Sequence, residues 1–500
     1  MINQAKIPSL VLMENAGRSA AEVILDRWPE CAKHTLVVCG TGNNGGDGFV
    51  VARQLTGAGC KARVIALGTP GKFTDDAAVM AAAWLGIGGQ VQWVTESAQL
   101  AHLQNELSSS QLIVDALFGT GLSKPLSGLY LDAVELLNQS QVPCCALDVP
   151  SGLDAETGCV LGGVVKAQAT VTFAHPKVGL FSTPAVECVG ELYTGSLGIP
   201  VDSWKQVGAT ASRVEPEDIA QWLPPRKLTI HKGIAGRVAV VAGSPGTTGA
   251  ALLAAQGALR AGAGLVTHVG TQSTIDAIEL RVLEAMTKGL DSRNLPQQLA
   301  DALSATNSVI LGPGLGTVGE SKLLVEETLK RAAVTVVVDA DALTLLAVSP
   351  EWLTVSPEKR ILTPHVGELA RLLKTDVASI ESDRFQALQR AVALTHAVVV
   401  LKGAYTLVGA PGRLPLVVGQ PCPALATGGS GDVLAGIIGA LSVNMEPWCA
   451  AACGVYWHNS AARRWARLHG CDRGLLAHEL ADSLPDALAE LSQAAGQMSE

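Results

Sequence analysis

Three polar residues stand at the ends of predicted strands in the first half of the chain: Asn44, Asp115 and Ser151. Their amide, carboxylate and hydroxyl oxygens are hard donors, and converging they suit a hard cation. Asp148, at the end of its own strand, faces the same crevice and can move protons. The stretch 42–48 reads GNNGGDG, and four glycines in seven residues let the backbone approach a ligand closely. A helix expected to start near Phe49 would offer its free N–H groups to a phosphate. The spacing is neither G-x-G-x-x-G nor a P-loop, since no Lys-Ser/Thr pair follows. Asn43, Asn44 and Asp47 add polar groups that the competing reading, a tight turn with Asx capping, does not require. Gly119, Thr120 and Gly121 form another N–H-rich turn after Asp115, and an aspartate that only caps this turn is the alternative there.

The second half carries four glycine turns after predicted strands: GSPGTTGA (243–250), GPGLG (312–316), TPHVGE (363–368) and ATGGSGDVLAG (426–436). In the last, Gly429, Ser430 and Gly431 supply N–H groups at the start of a helix predicted to begin near Val433, a nest for a phosphoryl group. Asp432 is placed to take a proton from an attacking hydroxyl, as phosphoryl transfer requires. The competing reading is a helix cap with flexible glycines. Lys402, in KGAYT after the strand AVVVL, is a phosphate-binding charge or a solvated strand end. His365 is a substrate contact or a structural histidine. Asp339 and Asp341 reach metal or phosphate through water, or simply close a strand-end turn.

The elements that must position these groups repeat one unit: a short apolar strand, a glycine turn, an alanine-rich helix. Strands are predicted at 35–40, 62–67, 111–117, 143–148 and 169–174, with a helix such as Phe49–Ala58 between them. Continuous apolar runs of this length fit strands buried on both faces of a parallel sheet. The pattern breaks in Lys205–Ile230, which is richer in Pro, Glu and Gln, and a boundary is placed at 212/213. It restarts with strands at 236–242, 264–269, 308–311, 334–339, 360–363 and 397–401. No residue-level repeat links the halves, so the expectation is two different α/β domains, 1–212 and 213–500, and not a duplication. The stretch 475–500 reads as one or two helices and a polar tail.

Bulk properties agree. Of 500 residues, 48% are hydrophobic and 16% charged, enough apolar material for full cores. The net charge of −9 argues against a nucleic-acid partner. The most apolar run, Val433–Val443, is too short to span a membrane. The N-terminus lacks the layout of a secretion signal. Eleven cysteines without a C-x-x-C pair suggest buried, reduced thiols in a cytoplasmic protein.

Taken in order, GNNGGDG, DALFGTGLSKP (115–125), DVPSGLDAETG (148–158) and TVTFAHPKVGL (170–180) resemble the NAD(P)H-hydrate epimerase family over roughly residues 9–200. The resemblance implies a Rossmann-like fold and a hydrated-dinucleotide site at Asn43, Asn44, Gly45, Gly46, Asp47, Gly119, Thr120, Gly121, Leu122, Ser123, Lys124, Pro125, Tyr130 and Asp148. It implies a potassium ion held by Asn44, Asp115 and Ser151, with Asp148 as catalytic residue. The family usually carries a further helix ahead of LMENAG (12–17), and only a few residues precede it here; the alternatives are a weaker dimer contact or first domain, or a true start that lies upstream.

GPGLG, TPH-x-GE, KGA-x-T and the G-x-GD helix start resemble the ribokinase-like superfamily, and within it the ADP-dependent NAD(P)H-hydrate dehydratases, over about residues 225–480. Two details depart: Val366 stands where the family has proline, and Ser430 where it has threonine. Carried over, Ala250, Gly316, His365 and Asp432 touch the hydrated substrate, with Asp432 catalytic. Lys402, Gly403, Ala404, Tyr405, Thr406 and Gly431 hold the adenine nucleotide, and Mg²⁺ accompanies ADP. Together the two resemblances imply repair of hydrated NADH and NADPH (NADHX and NADPHX) by a homo-oligomeric enzyme: epimerisation of the R and S forms, then ADP-consuming dehydration of S. The other reading is a small-molecule kinase behind a nucleotide-binding first domain.

Overall fold

The structure, a computed structural model, describes residues 6–200, 208–223, 225–281 and 283–497. It divides into two compact units, 1–209 and 210–500. In the first, the strands are β1 (His34–Cys39), β2 (Lys61–Leu67), β3 (Val91–Val94), β4 (Leu112–Ala116), β5 (Cys144–Leu147), β6 (Ala169–Phe173) and β7 (Glu191–Gly195). They form one sheet in the order β3-β2-β1-β4-β5-β6-β7, parallel at every pairing. Alternate residues feed two cores. Val37 and Cys39 pack on one face with Phe49, Val50 and Met80. Leu36 and Val38 pack on the other with Leu103 and Val134. Burial on both faces explains why these strands read as unbroken apolar runs.

The sequence places the helix after β1 near Phe49, but the structure starts it at Asn43 (Asn43–Gly57), with Gly42 as cap. GNNGGDG is therefore the helix's opening and not a loop before it. Gly45 makes this possible, because a Cβ there would lie 1.9 Å from the carbonyl oxygen of Gly40. With that approach allowed, the first turn tucks directly over the end of β1.

The second unit's strands are β8 (Ser212–Arg213), β9 (Arg237–Val241), β10 (Leu265–Thr271), β11 (Met286–Leu290), β12 (Ser308–Leu311), β13 (Thr335–Val338), β14 (Arg360–Leu362), β15 (Val398–Leu401), β16 (Thr406–Gly409) and β17 (Leu416–Val418). Their order is β11-β10-β9-β12-β13-β14-β15-β16-β17-β8. From β11 to β15 the sheet is parallel and repeats the relative strand order of the first unit; β16 pairs antiparallel with both β15 and β17. The boundary expected at 212/213 falls inside β8, whose Ser212 and Arg213 pair with Leu416 and Val417. This pairing ties the segment to the second unit and moves the boundary back to 209/210. Within Lys205–Ile230, positions 205–207 and 224 lie outside the described residues, as do 498–500 of the tail.

Two helices lie on one face of this sheet in backbone contact, Thr248–Arg260 and Ser430–Leu441. A Cβ on Gly257 would sit 2.5 Å from the carbonyl oxygen of Val433, and one on Gly436 only 2.2 Å from that of Ala254. Small residues at this crossing fix where the second helix begins. It begins at Ser430, not near Val433, because Gly429 takes a left-handed φ of +92° and caps it. Gly431 and Asp432 thus stand in the first turn, at the carboxyl edge of the sheet.

The cysteines are free, but not uniformly buried: Cys39, Cys144, Cys145, Cys188 and Cys453 are, whereas Cys471 is exposed. No helix among the described residues is long and apolar enough to cross a membrane.

Candidate functional site

In the first unit the strand order reverses direction between β1 and β4, which opens a crevice at their carboxyl ends. Asn44 is 7% exposed there. Its side-chain oxygen and nitrogen are both buried without a hydrogen-bond partner. Asp115, at the end of β4, is fully buried. It accepts from the Ser151 N–H at 2.8 Å and from the Ser151 hydroxyl at 2.6 Å. The Phe118 N–H donates to the same hydroxyl at 2.9 Å. Burial pushes the Asp115 carboxyl up to about 6, against the hydrogen bonds from Ser151 and Leu117. Gly119 links this cluster to the aspartate beyond it. The position of a Cβ on Gly119 lies 3.5 Å from Asn44 Oδ1 and 3.1 Å from Asp148 Oδ2.

Asp148 follows β5 in a left-handed conformation, φ +65°, which a non-glycine residue adopts only at a cost. Its N–H donates to Val171 at 2.8 Å. Its carboxylate forms a close ion pair with Lys177, whose ammonium also donates to Thr172 Oγ1 and the Phe173 carbonyl, each at 3.0 Å. The Asp47 carboxyl stands well above the usual carboxylate range, through burial first and then the nearby Asp148 charge, with Lys177 opposing. Lys177 lies in the motif TVTFAHPKVGL, yet sequence reasoning gives it no role. A lysine just after a buried strand, in a chain with few charges, was the available signal.

The other predicted first-unit residues spread along the rim. Asn43 is exposed and its Oδ1 accepts from Thr74 at 2.8 Å. Gly45 and Gly46 are buried in the helix's first turns. Gly121, Thr120, Ser123, Lys124 and Pro125 are exposed, with Leu122 half-buried. The ring of Tyr130 stands edge-on to Phe118, centroids 4.9 Å apart, and its hydroxyl is 3.1 Å from where a Cβ of Gly68 would be.

The second unit has the same kind of crevice, between β9 and β12. The turns after these strands are tied together, since the Thr247 and Ser244 hydroxyls donate to the Gly314 carbonyl at 2.7 and 3.0 Å. Ala250 lies in the same contact, its Cβ 2.9 Å from the position of a Cβ on Gly314. The Gly316 N–H donates to Asp341 Oδ2 at 2.8 Å.

Further along, Asp339, 2% exposed, accepts from Thr363 Oγ1 at 2.7 Å and pairs with Lys402 Nζ at 2.9 Å. Lys402 also stands 3.8 Å from Glu368 Oε2, and its Nζ is 3.6 Å from where a Cβ of Gly431 would be. Lys402 is no solvated strand end. Burial pulls its pKa down, but Asp339 and Glu368 outweigh it and leave it raised. Burial pushes Asp432 up to about 7, aided by Asp339 and opposed by Lys402. Burial likewise pushes Glu368 up to about 7. A lysine, three carboxylates and a helix N-terminus thus converge on one edge.

Gly403 is exposed, and Ala404, Tyr405 and Thr406 are half-buried in the turn from β15 to β16. His365 caps the helix Val366–Leu372, its Nδ1 accepting from the Gly367 N–H at 3.0 Å. Its other nitrogen lies 3.5 Å from Glu368 Oε1 on a ring 55% exposed, so the histidine has a structural task and still faces the crevice. Sequence reasoning missed Glu368 and Thr363, which flank His365 in a motif it had singled out. Among the described residues no cluster of three His, Cys, Asp or Glu side chains forms a metal site.

Fold and sites define a two-part α/β enzyme, each part with a glycine-rich helix start and a paired Asp–Lys at the carboxyl edge of its parallel strands. Comparison with known proteins agrees. Residues 9–179 match the family model described as YjeF-related protein N-terminus, and residues 238–486 that of NAD(P)H-hydrate dehydratase. A bifunctional NAD(P)H-hydrate repair enzyme of Moorella thermoacetica is 38% identical over 97% of this chain and 94% of its own. One of Escherichia coli is 38% identical over 95% of this chain and 88% of its own. Among solved structures, the ADP/ATP-dependent NAD(P)H-hydrate dehydratase of Bacillus subtilis, co-crystallised with ATP and Mg²⁺, is 30% identical. It matches 57% of this chain and all of its own length with a TM-score of 0.50. The chain belongs to the family of bifunctional NAD(P)H-hydrate repair enzymes.

Proposed function

We propose that the first unit, residues 1–209, epimerises the R and S forms of NADHX and NADPHX, and that the second, residues 210–500, dehydrates the S form to NADH or NADPH at the expense of ADP, giving AMP and phosphate. The observation that carries this reading is the presence, in one chain, of two charged sites at the carboxyl edges of its sheets: the Asp148–Lys177 pair in the first, and the Asp339–Lys402 pair with Asp432 nearby in the second. A cytoplasmic homo-oligomer is the expected form, and light scattering reads the assembly state.

In the hydrate, a hydroxyl sits on the carbon beside the ring nitrogen. The nitrogen lone pair expels that hydroxyl and leaves an iminium, and water adds back on the opposite face. Asp148 is the acid and base of this exchange, held in place by Lys177. Asn43–Asp47, Gly119–Pro125 and Tyr130 border the dinucleotide. Asn44, Asp115 and Ser151 fit a potassium ion, since Asn44 has an orphaned buried amide and Asp115 a buried carboxylate with little countercharge. When bound, the ion supplies positive charge that holds the loop and the water.

In the second domain hydroxide is a poor leaving group. Asp432 takes the hydroxyl proton, and the oxygen attacks the terminal phosphorus of ADP while the bond to AMP breaks. The helix N-terminus at Gly431 and the Lys402 ammonium stabilise the phosphoryl charge. Phosphate then leaves with help from the ring nitrogen, and loss of a neighbouring proton restores the dihydronicotinamide. Ala250, Gly316 and His365 border this substrate, and Lys402–Thr406 the nucleotide. Mg²⁺ brought by the nucleotide shields its phosphates.

The test follows dihydronicotinamide absorbance with a mixture of both epimers, ADP, Mg²⁺ and K⁺, corrected for spontaneous epimerisation. Complete ADP-dependent recovery is expected. Recovery that stops at one epimer's share would refute the epimerase assignment. A stable phosphorylated product without NADH or NADPH would identify a kinase instead.

A further inference from the structure

We propose that Arg384 is a positioning residue that sets the nucleotide-binding turn Lys402–Thr406 from beneath. The inference rests on the reading of that turn as an ADP site.

Arg384 opens the helix Arg384–Thr395, which Asp383 caps by accepting from the Gln386 N–H at 2.8 Å. Its side chain is 1% exposed, and burying a guanidinium is costly unless it is well partnered. One carboxylate approaches, Glu381 at 3.3 Å. The other partners are main-chain carbonyls reached by Nη2: Lys402 at 3.2 Å, Tyr405 at 3.4 Å and Leu401 at 3.5 Å. The Arg384 Nε and the second Glu381 oxygen are buried without partners. A buried cation with this incomplete pairing contributes little to stability. Its geometry points to organisation of the turn.

Three carbonyls drawn towards one guanidinium constrain the crossing from β15 to β16. In a planar trans peptide the following N–H points opposite to the carbonyl. The Lys402 carbonyl faces Arg384, so the Gly403 N–H is directed away from it. The Lys402 N–H is meanwhile held by the Pro364 carbonyl at 2.9 Å. With both faces of its backbone fixed, Lys402 has its ammonium aimed at Asp339 and the helix start at Gly431. Gly403 is the counterpart of this packing, because a Cβ there would lie 2.3 Å from Arg384 Nη2. The guanidinium and the missing side chain occupy the same place.

The experiment uses the full chain, with steady-state repair of the S hydrate measured over a range of ADP and, separately, of hydrate. Arg384→Lys keeps the charge and loses the fork. It is expected to raise KM for ADP about tenfold while KM for the hydrate stays within about twofold. Arg384→Ala is expected to raise it further, and guanidinium ion at sub-denaturing concentration should restore it where methylammonium does not. Gly403→Ala, which displaces the guanidinium without removing it, should reproduce the selective rise. Should Arg384→Ala fail to fold, the lysine variant and Gly403→Ala carry the test. An unchanged KM for ADP in the folded variants, or an equal rise in both KM values, overturns the proposal. Absence of ADP-dependent repair in the unaltered chain would instead overturn the nucleotide-site reading.

Discussion

Replacing Asp432 by asparagine should abolish ADP-dependent repair and at the same time stabilise the second unit at alkaline pH. A carboxyl that titrates at about 7 instead of 3.8 holds its proton more tightly folded than unfolded. The difference is up to about 4 kcal/mol, and partial contact with solvent brings it nearer 2 kcal/mol. The folded pKa is the raised one, so this stability is present below the unfolded value and lost as pH rises through about 7. At pH 8 the ionised Asp432 is a burden that asparagine does not carry; in strong acid both side chains are neutral and the two proteins converge. Scanning calorimetry of the full chain should show the second transition of Asp432→Asn raised by roughly 4–8 °C at about pH 8, and little changed at about pH 4. The groups facing Asp432 are Asp339, Asp341 and Lys402, with Glu368 beside the lysine. For the unaltered enzyme, a base that must be ionised predicts an ADP-dependent rate rising about tenfold from about pH 6 to about pH 8. A variant that keeps repair activity removes Asp432 from the mechanism. A variant whose transition at pH 8 is unmoved or lowered refutes the electrostatic argument.

Asp148→Asn should remove epimerisation while hydrate affinity stays nearly intact, and Lys177→Met should slow epimerisation by about a hundredfold; loss of binding in Asp148→Asn would make it a binding group only. Potassium should raise the melting temperature of the first unit at about pH 8 more than at about pH 5, where Asp115, pushed up to about 6, is mostly protonated. Asn44→Leu should erase that potassium effect, and a shift of equal size with sodium would count against a selective site. Gly436→Val drives a side chain towards the Ala254 carbonyl, so urea titration should show a loss of about 3 kcal/mol or more. ADP-dependent repair should fall with it while epimerisation persists; unchanged stability would mean that the two helices do not need their close approach.

The amino-acid sequence by itself determined the two α/β halves, because strands buried on both faces of a parallel sheet need apolar runs, and Leu36–Cys39 in β1, Leu112–Val114 in β4, Val238–Val241 in β9 and Val309–Leu311 in β12 are such runs. The strands it left unread are β3, β7, β8, β11, β16 and β17. These are short or lie towards the sheet edges, where half-polar runs such as Glu191–Gly195 and Met286–Leu290 suffice. The chemistry-bearing motifs were legible because close backbone approach demands glycine, and glycine clusters mark their own positions. Their exact helix starts were not, since whether Asn43 or Phe49 opens a helix depends on the Gly45–Gly40 contact across the turn. Only the tertiary structure decided which charges meet. Lys177 finds Asp148 across 29 positions and Lys402 finds Asp339 across 63. Arg384 reaches three carbonyls of a turn that it precedes in the chain. Local pattern reports whether a residue is buried and on which element. The partner of a buried charge is set by strand order and helix crossing, which bring together residues that share no local pattern.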